Sequence, residues 1–463
     1  MRHQNFFLLG LLLCFMSMGA QAQKSKAIFN GKNLKGWQLL NGTAEFKVKD
    51  GLIVGTVNDS EVNTFLATRK QYTNFVLEYE MLMDQGLNSG VQIRSHSNPK
   101  ERNGRVYGLQ VEADDSDRQW FGGLYDEARK GWRYPMEYHP AGKIAYKSGE
   151  WNKIKVVAQG NRIATWVNGI NCANLFEEAT ETGFIALQVH QAGKEHYGKT
   201  IRWRNIQLSE LTEDAPFPAT TAPEVSYLTN TLTDKERQEG WKLLWDGKTT
   251  NGWRGAKMDT FPANGWSIDE GILTVHASGG HESTNGGDIV TMQGYENFIL
   301  EVDFWFAEGA NSGIKYFVDT ELNKGQGSAI GCEFQILDDG QHPDAKKGVS
   351  GNRTIASLYD LIRADAQFYA PALPRNKYVN HGQWNRARIV VKGKQVEHWL
   401  NGCKVVEYQR GTQQWRALVA CSKYKDWPLF GEASRGLILL QDHGDEVKFK
   451  NIKIKELKAD AAL

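Results

Sequence analysis

"GCEFQILDD", Gly331–Asp339, alternates apolar and polar residues with the period of two that belongs to a β-strand. Cys332, Phe334 and Ile336 point one way, and Glu333 and Gln335 the other. "GLQVEADD", Gly108–Asp115, has the same pattern. Leu109, Val111 and Ala113 share one face, and Gln110, Glu112 and Asp114 share the opposite one. The carboxylate and the amide have changed places between the two stretches, yet the polar face is kept.

The two stretches are halves of a duplication that runs through the chain. "IFNGKNLKGW" at Ile28 is answered by "LWDGKTTNGW" at Leu244, and "YTNFVLEYEM" at Tyr72 by "YENFILEVDF" at Tyr295. "NSGVQIR" at Asn88 pairs with "NSGIKYF" at Asn311, "GGLYDE" with "ASLYDL", and "GFIALQVH" with "GLILLQDH". Order is preserved, so one domain of roughly 200 residues occurs twice. The copies are expected at 26–211 and 241–458. Residues 212–240 read as a Pro- and Thr-rich linker ending in one short helix, where Thr233 and Glu236 have capping-box spacing.

Each copy holds short runs rich in Val, Ile, Phe and Trp, broken by Gly and by Asn-Gly at 168–169 and 401–402. Long amphipathic helical patterns are nearly absent. The fold class implied is all-β, two tandem jelly-roll β-sandwich domains.

The chain has 463 residues, 41% hydrophobic, with 15 Trp, 16 Tyr and a formal charge of +1. No basic stripe suits nucleic acid, so that function is excluded. Arg2, the apolar run "FFLLGLLLCFMSMG" and Ala20-Gln21-Ala22 read as a signal peptide at 1–22, giving a periplasmic or secreted protein. Leu13 before Cys14 weakens a lipoprotein reading. No later stretch reaches the roughly 18 apolar residues of a membrane span. Cys172, Cys332, Cys403 and Cys421 lack C-x-x-C spacing, which argues against a thiolate zinc site. Cys403 with Cys421 is the nearest candidate disulfide, and buried thiols are the alternative.

A sheet can turn a polar face to water without further meaning, but lysine would then be expected more often. Here the face carries Glu, Gln and His, with Tyr125 and Tyr359 nearby. Gln188 shares a face with His190, and Gln441 with His443. Aromatic and amide groups on one face suit a polyhydroxylated ligand, so carbohydrate is the expected partner. "RALVACSKYKDWPLFGEASRG", present in the second copy alone, brings Lys423, Tyr424 and Trp427 as residues that could close over a site. His398 reads as structural.

The ordered motifs "LWDGK", "NSGI", "GCEFQILDD", "SLYD", "GQWN", "WLNG", "LQDHG" and "FKNIKIKEL" resemble the 3-keto-disaccharide hydrolase family over 241–458. Residues 26–211 resemble it more loosely. The resemblance implies a concanavalin A-like jelly roll, export, and action on glycosides oxidised at C3. The C3 ketone acidifies the C2 proton, so a base can remove it and the C1 substituent can leave. Net hydrolysis, a lyase or a hydratase could result.

Glu333 or His443 is the candidate base. Lys315, His342 or a bound divalent cation is the candidate enolate partner, Tyr359 the candidate acid, and Asp338 an orienter. Asp338, His342 and His443 are the candidate metal ligands. Gln335, Gln441, Gln110, Glu112, Tyr125 and His190, with Arg94, Lys423 and Trp427, are candidates for holding the sugar. The family's Arg at the end of the "NSGI" strand is kept as Arg94 but replaced by Phe317 in the second copy. The second copy is expected to be catalytic.

Two rivals remain. A jelly-roll glucanase would need E-x-D-x-x-E, and Glu301 and Asp303 are followed by Phe306 where the last Glu belongs. A non-catalytic sugar-binding protein would use Trp427 or Trp120 as a stacking platform. Oligomeric state is left open by the sequence.

Overall fold

The computed structural model describes residues 25–100, 102–178, 180–365, 379 and 381–458. The expected leader at 1–22 lies outside them. The chain is all-β, two tandem concanavalin A-like jelly-roll sandwiches in which each copy pairs a larger and a smaller sheet.

In the first copy the larger sheet is centred on Phe75–Met83, flanked by Asn152–Gln159 and Thr200–Glu210. Its second-copy counterpart is centred on Phe298–Phe306, between Asn385–Lys392 and Val447–Glu456. The smaller sheet is centred on Asn88–His96, between Tyr107–Asp114 and Phe184–Val189. In the second copy the same places are taken by Asn311–Asp319, Ile330–Leu337 and Leu437–Leu440.

The alternation read from the sequence decides which face is core. Cys332, Phe334 and Ile336 are wholly buried in the second core, with Ile314, Tyr316 and Leu440. Burying a side chain the size of Phe or Ile contributes about 1.5–3 kcal/mol, so a one-residue slip of this strand is strongly disfavoured. Both Asn-Gly pairs form tight hairpins: Asn168 and Gly169 have φ of 49° and 85°, and Asn401 and Gly402 have 49° and 83°. Two successive positive φ values are what a type I′ turn needs.

The segment between the copies is ordered against both. Glu224–Ser226 pairs in parallel with Ile170–Phe176. Helix α1, Asp234–Gln238, is capped by Thr233, whose Oγ1 accepts from Glu236 N–H while its own N–H donates to Glu236 Oε2. A second helix, α2, Gln413–Ala420, escaped the sequence reading; it is eight residues long and buries Trp415. No helix among the described residues is long and apolar enough to cross a membrane. Cys172, Cys332, Cys403 and Cys421 are free thiols, so the suggested Cys403–Cys421 pairing is not formed.

Candidate active site

The polar face of the smaller sheet in the second copy does not meet water as a plain surface. Glu333 is 4% exposed, Lys315 5%, Gln441 3% and Gln335 not at all. Strand register sets them: Lys315 lies opposite Glu333, and Gly313 opposite Gln335. Gly313 leaves the space that Glu333 uses, since a Cβ there would fall 2.3 Å from Glu333 Oε1.

Lys315 Nζ is 3.7 Å from Glu333 Oε2 and donates to Ser328 Oγ (2.5 Å) and Ala329 O (3.3 Å). Ser328 Oγ in turn donates to Asp288 Oδ2 at 2.5 Å. Burial raises the Asp288 pKa, opposed by the Lys315 charge. The ammonium is therefore held by neighbours on several sides, and it serves the two carboxylates as their buried counter-charge.

A second chain fixes His443. Gln335 Nε2 donates to Asn311 Oδ1 (3.0 Å), which turns the Asn311 amide so that Nδ2 donates to His443 Nε2 (3.2 Å). Neutral His443 then carries its proton on Nδ1. That Nδ1 is buried and has no partner among the described residues, and neither has Gln335 Oε1 or Gln441 Oε1. One donor and two acceptors therefore stand open at the site. Gln441 Nε2 is engaged by Glu282 Oε1 at 3.0 Å. Glu282 and Asp288 also line an adjoining cavity of about 710 Å³.

Tyr359 donates its hydroxyl proton to Asp344 Oδ2 at 2.7 Å. Burial, then this bond, hold its pKa above the usual phenol value. Lys423 places Nζ 4.1 Å from the Tyr359 ring centre. Desolvation lowers the Lys423 pKa, opposed by the charge of Glu333. His342 accepts the Asp344 N–H at Nδ1 (3.1 Å), and its ring centre lies 6.3 Å from that of His443. Burial lowers its pKa, so it favours the neutral form.

Several expectations need correcting. Asp338 is already engaged by protein groups. Its carboxylate accepts Gly309 N–H (2.9 Å) and Gly340 N–H (3.1 Å), and it contacts His381 Nδ1 (3.0 Å). Among the described residues no three His, Cys, Asp or Glu side chains converge as a metal site. Trp427 is half-buried against the second core, and Trp120 is 1% exposed with its indole N–H donated to Glu137. Trp120 is a core residue rather than a platform.

Arg94 leaves the polar face altogether. Its φ is 48°, at a bulge that shifts the register between Ile93 and His96, and this turns the side chain off the alternation. The guanidinium donates to Thr73 O (2.5 Å), Gly160 O (2.7 Å) and Asn74 Oδ1 (3.0 Å). Phe317, at the same bulge in the second copy, has φ 54°. Arg410 stacks on it at 3.9 Å and donates to Gly393 O, the repeat partner of Gly160. The departure at Phe317 is thus structurally compensated.

In the first copy Gln110, Glu112, Tyr125 and His190 do come together, on a cavity of about 730 Å³ that Trp132 and Gln188 also line. Glu112 accepts from Asn88 Nδ2 (2.6 Å) and Gln110 Nε2 (3.1 Å). Burial pushes its pKa up to about 7, against the pull of Arg118. Burial and then Glu127 raise Tyr125 to about 12.

Sequence reasoning missed Glu282, Asp288, Ser328 and Trp132. Trp132 had a signal, its nearness to "GGLYDE"; the other three come from loops outside the repeated strands.

Comparison with known proteins agrees with the duplication. The family model for the 3-keto-alpha-glucoside-1,2-lyase-like domain matches residues 24–209 and again 240–455. A 3-keto-disaccharide hydrolase of Bacteroides thetaiotaomicron is 38% identical over 239 residues, covering 47% of this chain and 79% of that one. A Parabacteroides distasonis protein of known crystal structure, described provisionally as a glycosyl hydrolase, is 31% identical. It covers 50% of this chain and 100% of its own, with a TM-score of 0.42. A second such structure from that organism is 25% identical, covers 47% and 99%, and has a TM-score of 0.32. With its two matched segments and the Bacteroides relative, the chain belongs to the 3-keto-alpha-glucoside-1,2-lyase-like family.

Proposed function

We propose that the protein is an exported hydrolase of 3-keto-glycosides, with residues 241–458 as its catalytic copy. The observation that carries this reading is one buried sheet face holding the Glu333–Lys315 pair beside the open His443 Nδ1–H and two open amide oxygens. A sugar hydroxyl can donate to each amide oxygen, and a keto oxygen can accept from the histidine.

In this reading Glu333 takes the C2 proton, and the electron pair moves onto the keto oxygen at O3, where His443 Nδ1–H meets it. The enolate then re-forms the ketone, a C1=C2 bond forms, and the C1–O bond breaks. The departing oxygen takes a proton from Lys423, whose lowered pKa makes it a better acid than an ordinary lysine. Tyr359, with its proton held by Asp344 and its pKa raised, is a poorer donor. Water adds to C1, its proton restores Lys423, and Glu333 returns the proton to C2. Stopping after the C1–O cleavage would give a lyase.

Incubation of a 3-keto-glucoside with the enzyme in D2O, followed by NMR, tests the reading. Deuterium should enter C2 and aglycone should be released, and Glu333→Gln should lose both. Binding with neither exchange nor release would overturn it in favour of a sugar-binding protein.

A further inference from the structure

The duplication allows the two polar faces to be compared position by position. Where the second copy has Lys315 opposite Glu333, the first has Gln92 opposite Gln110. Phe65, in an apolar cluster with Val106, stands at the position of Asp288. The buried charges of one copy are therefore replaced by a chain of amides in the other. Ser95 Oγ donates to Gln92 Oε1 (2.6 Å), Gln92 Nε2 to Gln110 Oε1 (2.9 Å), and Gln110 Nε2 to Glu112 Oε2 (3.1 Å). Both oxygens of Glu112 accept an amide N–H, which fixes the carboxyl in the cavity wall.

Gln188 is the feature this network does not explain. It is completely buried and lines the cavity of about 730 Å³, yet neither its Oε1 nor its Nε2 has a partner among the described residues. Burying such a group unpaired is unfavourable, so an occupant that bonds both atoms would be favoured. A hydroxyl both donates and accepts, and two adjacent hydroxyls can bond both polar atoms of the amide. A ketone only accepts and would leave Oε1 unpaired. The second copy differs at this point, because Gln441 Nε2 is already taken by Glu282 and the open donor is His443. In the first copy His190 Nδ1 lies 2.5 Å from Gln191 O and is turned to the backbone. Trp132, stacked edge-on to Tyr125 with centroids 5.1 Å apart, supplies an aromatic wall for the C–H face of a ring.

We propose that this cleft is a second carbohydrate site, which takes a neutral glycosyl unit with its hydroxyls unoxidised through Gln188, Glu112 and Trp132. The ligand class rests on the carbohydrate reading above, but the chemistry assigned to the second copy is not required. The chain would then hold an unreacted part of its glycan in one copy while the other reacts.

The test uses full-length protein with ¹⁵N-labelled tryptophan, the Trp132 indole signal being assigned with Trp132→Phe. Maltose, cellobiose and trehalose serve as probes. At least one should shift that signal saturably. Gln188→Leu, with Gln188→Glu as a second variant should the first fail to fold, should weaken the binding by about tenfold or more. Gln441→Leu should change it by less than about twofold, since Gln441 belongs to the other copy. No shift with any probe, or weakening by Gln441→Leu in place of the Gln188 variants, overturns the proposal. Turnover of a 3-keto-glucoside is assayed alongside. Turnover without a shift sinks this inference and spares the catalytic reading, while a shift without turnover does the reverse.

Discussion

Lys315 and Glu333 face each other across neighbouring antiparallel strands, with Nζ 3.7 Å from Oε2 and both side chains almost wholly buried. Through Ser328 the same ammonium reaches Asp288, so one cation serves two buried carboxylates. Breaking a buried pair by removing one partner costs about 3–5 kcal/mol, because the remaining charge stays desolvated. Lys315→Met should therefore lower the thermal midpoint sharply. Lys315→Met with Asp288→Asn should recover part of the loss, since one of the two stranded carboxylates is gone. Calorimetry on the wild type, Lys315→Met, Asp288→Asn and the double variant checks this, and additive losses would show that the ammonium and Asp288 are not coupled.

Glu333→Gln keeps the shape of the strand and removes the proposed base. Loss of a positioned general base lowers rates by about 10²–10⁴. C2 deuterium exchange and aglycone release should fall together by that factor. If release falls while exchange survives, another group removes the C2 proton.

The strand alternation was legible because the chain repeats it: Cys332, Phe334 and Ile336 sit in the core as their spacing requires. The polar face was legible for the same reason. Arg94 was misplaced because alternation assumes an unbroken strand, and a residue at φ 48° inside a bulge reverses the side that follows. Asp288 and Glu282 could not be read from spacing at all. They reach the face from a loop more than a hundred residues away in sequence from Gln441 and Asp442, the partners that reveal them.

Arg94→Ala removes a guanidinium that satisfies the backbone oxygens of Thr73 and Gly160. Hydrogen bonds from a charged donor contribute about 1.5–3 kcal/mol, and stranded carbonyls add to the cost. A loss of about 3 kcal/mol is expected in urea unfolding. It should appear as stability, with sugar binding per folded molecule unaffected. A specific loss of sugar affinity would return Arg94 to the cleft.

His398 is completely buried, with Nε2 2.8 Å from the Tyr316 hydroxyl and Nδ1 3.0 Å from Ala356 O. Burial lowers its pKa to about 4, opposed by the bond to the Ala356 carbonyl. The unfolded chain, with a histidine near 6.5, binds more protons than the folded one between those values. The stability this neutral histidine supports is present above about pH 6.5 and is lost as pH falls toward about 4. Moving from pH 7.5 to 5 should cost about 2 kcal/mol through this one group. His398→Asn should flatten that part of the stability profile, and an unchanged acid slope would assign it elsewhere.

Tyr227, in the segment between the copies, is clasped by one arginine from each. The guanidinium carbon of Arg133 lies 3.4 Å from its ring centre, and that of Arg386 lies 3.7 Å. Like charges are brought together by this arrangement, so each needs its own counter-ion. Arg133 has Glu177 (2.5 Å), and Arg386 forks onto Asp303 at 2.6 and 3.0 Å while donating to Ser226 O. The ring is 4% exposed, and a desolvated cation–π contact contributes about 2 kcal/mol. Tyr227→Leu keeps the apolar contact but removes the ring face, leaving two arginines in mutual repulsion across an aliphatic side chain. The wild type should unfold in one calorimetric transition, because the clasp couples the copies. The variant should show two, one for each sandwich, with the lower midpoint falling below that of the wild type. Two transitions already in the wild type would mean that the clasp holds the copies together without coupling their unfolding.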